Sequence, residues 1–374
     1  MTKKVLAFLL SFYFCITPWS FEAKAENIHL PINAKAFVLM DPLSGRVLFE
    51  KNSEDKRAMA STTKIMTAII ALEKGNLKSK VKVSSRAASV GGSSFYLNSG
   101  EVLSLENMLY GLLLPSGNDA AVAIAEHIGG GTEEKFVQMM NEKALELGAL
   151  NTHFNNPHGL DDPEHYTTAK DLALIARYAF SIHKFREIVK TKSKEIKEGN
   201  YPRYIFSTNR LLWEFEGADG IKTGYTGNAG KCLVASADKE DVQLLSVILG
   251  THNHFADSCT LLDFGFNNYK LTPLISKNKY CTTVKVESGS SDEVDLMTKD
   301  DISLALMENE IVKLNLIVPK SIKAPVFKEE QIGELQVYVG RDLACSTSLI
   351  AMSNIDIKKY TYILYKFFRV WMKG

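Results

Sequence analysis

The chain has 374 residues, of which 45% are hydrophobic and 23% are charged, the composition of an ordinary globular protein. The length predicts about two domains. The formal net charge of +1 excludes the strongly basic character of a nucleic-acid-binding protein, so we expect no nucleic-acid partner.

The N-terminal segment has the pattern of a secretory signal. Lys3 and Lys4 precede an apolar run over residues 5–16, and the sequence AKA at 23–25 has the form of a cleavage site. We therefore predict a signal peptide over residues 1–25 and a mature protein that works outside the cytoplasmic membrane. An uncleaved membrane anchor is the alternative.

The segment that follows mixes strands and helices. Residues 34–52 predict a β-hairpin, because two apolar runs flank the turn Asp41-Pro42-Leu43-Ser44-Gly45. An apolar helix follows and is stopped by Gly75, and residues 231–250 predict two adjacent strands. Further helical patterns cover the segments 105–114, 118–128, 133–147 and 168–182. Because strand-rich segments flank a helix-rich middle, we predict one α/β or α+β domain over residues 26–272, with a sheet assembled from distant parts of the chain.

Beyond this domain the pattern changes. Short β-branched runs alternate with charged residues and with Gly, Ser and Pro. These features predict a smaller all-β domain over residues 273–357. It carries no cluster of residues that would support chemistry.

The last segment, 358–374, predicts an amphipathic helix. Lys366, Arg369 and Lys373 share one helical face, opposite to aromatic and aliphatic residues. A helix of about 17 residues is about 25 Å long, which is shorter than the ~30 Å hydrocarbon core of a bilayer. We therefore predict a helix that lies in the membrane interface. Packing of the same helix on the β domain is the alternative.

The apolar helix opens with ASTTK at residues 60–64, where Ser61 is either a cap or a nucleophile. Side chains at i and i+3 of a helix lie about 5–6 Å apart at Cβ, so the Lys64 amine is able to reach the Ser61 hydroxyl. The positive end of the helix dipole favours an oxyanion at Ser61, and with any second cation it lowers the pKa of Lys64. A neutral lysine is the base that a serine nucleophile requires. Because Ser-x-x-Lys recurs elsewhere in the chain, the pair alone does not decide whether Ser61 is a cap or a nucleophile.

Two downstream motifs favour the interpretation of Ser61 as a nucleophile. Ser116-Gly117-Asn118 follows Pro115, which blocks continuation of the preceding helix, so its side chains are expected at an inter-helix turn; a simple cap is the alternative. Lys222-Thr223-Gly224 begins a predicted strand. Gly224 would let a substrate backbone lie against the strand edge, and Lys222 would present a cation to the pocket.

Taken in order, these three motifs resemble those of the penicillin-binding protein and serine β-lactamase superfamily. The flanking sequences GGSSFYLNSGEVLSLENMLYGLLLPSGNDAA and THFNNPHGLDDPEHYTTAKDLALIARYA resemble, more narrowly, the low-molecular-mass D-alanyl-D-alanine carboxypeptidases, over residues 34–266. The resemblance implies a transpeptidase/β-lactamase-like fold, with an antiparallel sheet flanked by helices and a helical lobe. The β domain and the amphipathic tail match that family's layout.

The resemblance also implies the catalytic roles. Ser61 attacks the penultimate D-alanine carbonyl of a peptidoglycan stem peptide that ends in D-Ala-D-Ala, and Lys64 takes its proton. Ser116, with Lys222, passes a proton to the departing D-alanine, and Asn118 holds the substrate amide. Water then hydrolyses the acyl-enzyme without a cofactor.

The substrate contacts are implied in the same way. The backbone N–H groups of Ser61 and Tyr225 form the oxyanion hole, next to Gly224 of the strand. Thr223 and Arg210 meet the terminal carboxylate. The same site binds β-lactam antibiotics as covalent inhibitors. From the predicted signal peptide and the predicted interfacial helix, we expect the enzyme at the outer face of the cytoplasmic membrane, by the cell wall.

One segment departs from the family pattern. Family members often carry an arginine after the strand that ends at Gly250, where it helps to bind the carboxylate, and His254 occupies that place here. His252 and His254 have no carboxylate-rich partner segment, so we predict no metal site. We expect the cysteines that follow the signal segment to be free and mostly buried thiols, because their spacing fits no zinc or redox pattern: Cys232, Cys259, Cys281 and Cys345.

A serine β-lactamase is the nearest rival interpretation. Class A enzymes require a Glu-x-x-Leu-Asn loop between the second and third motifs, whereas the stretch from Glu146 to Asn151 is one residue too long and lies at a predicted helix end. The same motifs would also suit an endopeptidase that cleaves existing cross-links, or a penicillin-binding cell-wall module without turnover.

Overall fold

The computed structural model describes residues 29–358 together with Phe368 and Trp371. After a 3-10 turn at Ala60–Thr63, the described helices are α1 (Lys64–Lys74), α2 (Ser85–Ala88), α3 (Leu105–Leu113), α4 (Asn118–Ile128), α5 (Glu133–Glu146), α6 (Ala169–Ser181), α7 (His183–Lys190), α8 (Leu211–Glu214) and α9 (His254–Asn268). The described strands up to residue 251 are β1 (Ala36–Met40), β2 (Val47–Lys51), β3 (Lys80–Lys82), β4 (Val102–Ser104), β5 (Ser193–Ile196), β6 (Arg203–Phe206), β7 (Ala218–Thr226), β8 (Gly230–Lys239) and β9 (Val242–Thr251). Those that follow are β10 (Lys270–Ile275), β11 (Tyr280–Glu287), β12 (Glu293–Thr298), β13 (Ile302–Leu306), β14 (Val312–Ile317), β15 (Ser321–Lys323), β16 (Gln331–Val339) and β17 (Asp342–Ala351).

Five antiparallel strands form the sheet of the N-terminal domain, in the order β2-β1-β9-β8-β7. At the predicted turn between β1 and β2, the Asp41 carboxylate accepts hydrogen bonds from the N–H of Leu43 (2.9 Å) and from the hydroxyl of Ser44 (2.7 Å). Because β1 pairs with β9, segments from the two ends of the domain meet in the middle of the sheet, as predicted. Strand β7 is left at the sheet edge.

A helical core packs against this sheet. Every residue of α1 from Lys64 to Ala71 is buried, so the helix runs through the domain rather than over its surface. Apolar side chains of α3, α4 and α6, among them Leu109, Val122 and Leu172, belong to the same buried cluster. The start of α1 is therefore fixed on all sides, and so are the side chains that it carries.

A second apolar core lies among strands β10 to β17. They form the pair β10-β13 and a six-stranded sheet in the order β14-β16-β17-β12-β11-β15, in which β11 and β15 are parallel. Buried residues of this core include Leu296, Val337 and Leu349. The predicted all-β C-terminal domain is confirmed. Strand β10 begins at Lys270, beside the predicted boundary after residue 272, and the domain boundaries stay predictions.

The predicted signal peptide, residues 1–25, lies outside the described residues. Of the predicted terminal helix, 358–374, the structure describes Lys358, Phe368 and Trp371, and the last two are helical and exposed. Within the described part of the chain, no helix combines the length and the apolar character needed to cross a membrane.

Candidate active site

Ser61 and Lys64 meet at the start of α1. The Nζ of Lys64 lies 2.9 Å from the Oγ of Ser61, 2.6 Å from the Oδ1 of Asn118 and 2.7 Å from the carbonyl oxygen of His158. The last two atoms only accept hydrogen bonds. A neutral amine that donates its two N–H groups to them keeps its lone pair for the Ser61 hydroxyl, so this arrangement suits a base next to a nucleophile.

The surroundings of Lys64 favour that neutral form. Its side chain is fully buried, and burial, with the charge of Lys222 as the second cause, lowers its pKa well below the usual value. Asp119 acts in the opposite direction but is a smaller influence. Removing a cation from water disfavours its charge, and a second cation nearby adds to the effect.

Lys222 comes from the edge strand β7. It is 1% exposed, its Nζ donates a hydrogen bond to the carbonyl oxygen of Thr223 (2.9 Å), and burial lowers its pKa to about 7. Lys222 is therefore able to exchange a proton near neutral pH, which is the property a participant in acid–base chemistry requires.

Ser116 and Asn118 lie in the turn between α3 and α4. Ser116 has a φ of 69°, an uncommon conformation for a residue with a side chain, and its buried hydroxyl has no hydrogen-bond partner among the described residues. The Nδ2 of Asn118 donates to the carbonyl oxygen of Gly91 (2.7 Å), which leaves its Oδ1 directed at Lys64. The turn thus presents one bound amide and one free hydroxyl, and it lies between two helices, where the sequence placed the Ser-x-Asn motif.

A cleft of about 330 Å³ opens beside these groups. Its lining includes residues of all three motifs and of the start of α9, together with Ser93, Thr208 and Lys231 of β8. The full set is Ser61, Ser93, Ser116, Thr208, Thr223, Gly224, Tyr225, Lys231, His254 and Phe255. A Cβ atom on Gly224 would lie 3.1 Å from the backbone nitrogen of Ser61. The absence of a side chain therefore allows β7 to approach the catalytic turn.

Arg210 is a predicted site residue that does not line the cleft, although its guanidinium lies 5.4 Å from the ring centroid of Phe255, which does. Its Nε and Nη2 donate to the Oε1 of Glu214 at 2.9 Å and 2.6 Å, and 65% of its side chain is exposed. Arg210 directly precedes α8 and Glu214 ends it, and a spacing of four residues favours such an ion pair. In this conformation the donors of Arg210 face Glu214, and the expected contact of Arg210 with a substrate carboxylate stays a prediction.

The structure adds residues that the sequence did not single out. The Asp119 carboxylate accepts hydrogen bonds from the N–H groups of Phe95 (2.9 Å) and Leu97 (3.0 Å) and from the hydroxyl of Ser94 (2.7 Å). It thereby fixes the loop that brings Ser93 to the cleft. Thr208 faces the third motif, with its hydroxyl 2.7 Å from that of Thr223. Asp119 directly follows the second motif, and this adjacency is the one signal that the sequence offered.

Comparison with known proteins agrees with this geometry. The family model of D-alanyl-D-alanine carboxypeptidases matches residues 22–253, and that of the C-terminal domain of penicillin-binding protein 5 matches residues 269–356. The D-alanyl-D-alanine carboxypeptidase DacF of Bacillus subtilis is 37% identical over 344 residues, which are 89% of this chain and 88% of that protein. DacC of Escherichia coli is 32% identical over 372 residues, which are 92% and 90% of the two chains.

Solved structures agree as well. Penicillin-binding protein 5 from Haemophilus influenzae superposes with a TM-score of 0.76 at 30% identity, covering 88% of this chain and 99% of that one. The Streptomyces K15 DD-transpeptidase gives 0.62 at 32% identity, covering 64% of this chain and all of that one. The chain belongs to the D-alanyl-D-alanine carboxypeptidase family of serine peptidases, and the predicted fold and enzyme class are confirmed.

Proposed function

We propose that this protein removes the terminal D-alanine from peptidoglycan stem peptides through an acyl-enzyme on Ser61. One observation carries the proposal: a fully buried Lys64 with a strongly lowered pKa lies 2.9 Å from the Ser61 hydroxyl, in a cleft formed by all three motifs. That arrangement is what an activated serine nucleophile needs.

The reaction follows from the contacts. The Nζ of Lys64 takes the proton of Ser61 while the Oγ bonds to the carbonyl carbon of the penultimate D-alanine, and the backbone N–H groups of Ser61 and Tyr225 stabilise the oxyanion. The C–N bond then breaks as the proton passes from Lys64 through the Ser116 hydroxyl to the departing nitrogen, with Lys222 beside it. In the second half, a water molecule gives its proton to Lys64 and attacks the ester, and the proton returns to the Oγ of Ser61.

β-Lactam antibiotics would acylate the same serine. A β-lactamase must deacylate rapidly, and class A enzymes use a glutamate for this purpose. No carboxylate is found among the described residues that line the cleft. Glu146, at the end of α5, is 62% exposed and pairs with Lys143. These features support carboxypeptidase activity over efficient hydrolysis of penicillin.

We also propose that the protein is exported and works at the outer face of the cytoplasmic membrane, in contact with the cell wall. The support is in the sequence: the signal pattern of residues 1–25, and the segment 358–374 with Lys366, Arg369 and Lys373 on one helical face. A helix of this kind binds to a membrane surface through its apolar side.

Incubation with a peptide that ends in D-Ala-D-Ala tests the activity. The wild-type protein is expected to release one D-alanine per peptide, and Ser61→Ala should lower the rate by about 10³-fold or more, because it removes the nucleophile. Rapid penicillin hydrolysis without release of D-alanine would instead identify a β-lactamase. Cleavage of cross-linked peptides alone would identify an endopeptidase.

A further inference from the structure

We propose that Lys231 binds the terminal carboxylate of the departing D-alanine and so makes the enzyme selective for peptides with a free C terminus. This inference rests on the proposed carboxypeptidase function. It assigns to β8 a contact that the family resemblance places on Arg210.

The position of Lys231 follows from strand pairing. Lys231 is directly opposite Tyr225 of β7 and opposite Thr251 of β9. Side chains of opposed residues in an antiparallel pair point to the same face of the sheet. Lys231 therefore stands on the same face as Tyr225, at the end of the sheet where β7 borders the cleft, and it contributes to the cleft lining.

The cleft has an unbalanced positive charge at this end. Among the described residues that line it, Lys231 is the one lysine or arginine, and none is acidic. The exposed Lys231 amine has no hydrogen bond or ion pair with any residue in the described part of the chain. An uncompensated cation that borders a cleft attracts an anionic ligand group. The hydroxyls of Thr223 and Thr208, which also line the cleft, would complete the set of donors.

The other candidate cations are already engaged or uncharged. Arg210 is paired with Glu214, and Lys222 is buried and bonded to the carbonyl oxygen of Thr223. His254 also lines the cleft, but burial, followed by the charges of Lys231 and Arg210, lowers its pKa to about 4, so it is neutral at pH 7.

The test compares two acetylated Lys-D-Ala-D-Ala peptides, one with a free C terminus and one with a C-terminal amide. For Lys231→Gln we expect kcat/KM for the acid to fall by about tenfold, because a hydrogen bond to a charged group is lost, and kcat/KM for the amide to stay within about twofold. Lys231→Arg should keep the preference for the acid. Lys239→Gln, at the other end of β8, is the matched control and should change neither value. Arg210→Gln should also leave the preference intact.

Several outcomes would overturn the inference. One is an unchanged acid-to-amide ratio in a folded Lys231→Gln protein, and another is a loss of that ratio in Arg210→Gln instead. Folding is checked by thermal unfolding, and because Lys231 is exposed we expect no change. A wild-type protein that cleaves the D-Ala-D-Ala bond of neither peptide would overturn the proposed function together with this inference, so the two failures are distinguishable.

Discussion

At Gly224, the edge strand β7 passes close to the catalytic turn. A Cβ atom there would lie 3.1 Å from the nitrogen of Ser61 and 3.2 Å from the carbonyl oxygen of Met59. Both are backbone atoms, so the strand or the turn would have to move to make room. Catalytic groups must hold their positions to within about 0.5 Å, and a movement of this kind therefore affects rate more than folding.

Gly224→Ala should lower the second-order rate of acylation by penicillin by about tenfold or more. Gly227→Ala is the matched control, because a Cβ atom at Gly227 would have no other atom within 4 Å. Stopped-flow or quench measurements on both variants give the comparison, with thermal unfolding as the check on folding. Equal acylation rates for the two variants would contradict the close approach of β7 to Ser61.

Some residues of the site were predictable from the sequence and others were not. Ser61 and Lys64 are three positions apart on one chain segment, so local geometry alone was enough to predict their contact. The burial of Lys222 depends on how the edge strand packs against the rest of the domain, which no local pattern contains. The family resemblance assigns Arg210 to the substrate, whereas its four-residue spacing from Glu214 allows a local ion pair without requiring one.

At the scale of elements, the helices were the easiest to predict. The helical patterns at 105–114, 118–128, 133–147 and 168–182 correspond to α3, α4, α5 and α6, with ends that differ by no more than one residue. Helical periodicity is a local property of the sequence. Each of these helices has an apolar face, so apolar residues recur at helical spacing and predict the helix.

The β5–β6 hairpin and α9 were not predicted. In β6, Arg203 and Ile205 are buried whereas Tyr204 and Phe206 are exposed. The buried face therefore contains a charged residue and the exposed face contains two aromatic residues, so the strand lacks the usual alternation of polar and apolar residues. The burial of Arg203 is explained by its contact with the Glu101 carboxylate at 2.7 Å, a partner about a hundred residues away. In α9 the packed face contains polar and small residues, including Asp257, Ser258 and Gly265, which weakens the apolar pattern.

At the scale of the whole molecule, the β domain and the cleft lie at opposite edges of the central sheet. The β1–β2 hairpin contacts the β domain, where the Nη1 of Arg46 donates to the carbonyl oxygen of Ala305 (2.8 Å). The cleft is at β7, at the other edge. Neighbouring strands are about 4.8 Å apart, so four strand spacings, roughly 19 Å, separate the two. The cleft is thus free of the β domain.

The proposed membrane attachment depends on the C-terminal segment of the molecule. Removal of the residues after Lys359 should move the mature protein from the membrane fraction to the soluble fraction, because the apolar face of the segment is lost. Release of D-alanine in solution should continue, since the cleft lies at the other edge of the sheet. Full-length Ser61→Ala is the control and should remain with the membrane. An unchanged distribution of the truncated protein would refute the anchor.

The central claim is that Ser61 is the nucleophile and that an uncharged Lys64 activates it. The most direct measurement is the mass of the intact protein after exposure to penicillin, followed by digestion to locate the adduct. We expect one adduct per chain, on the peptide that contains Ser61, and a slower reaction as the pH falls, because Lys64 then becomes protonated. An adduct on another peptide, or one that still forms on Ser61→Ala, would contradict the account.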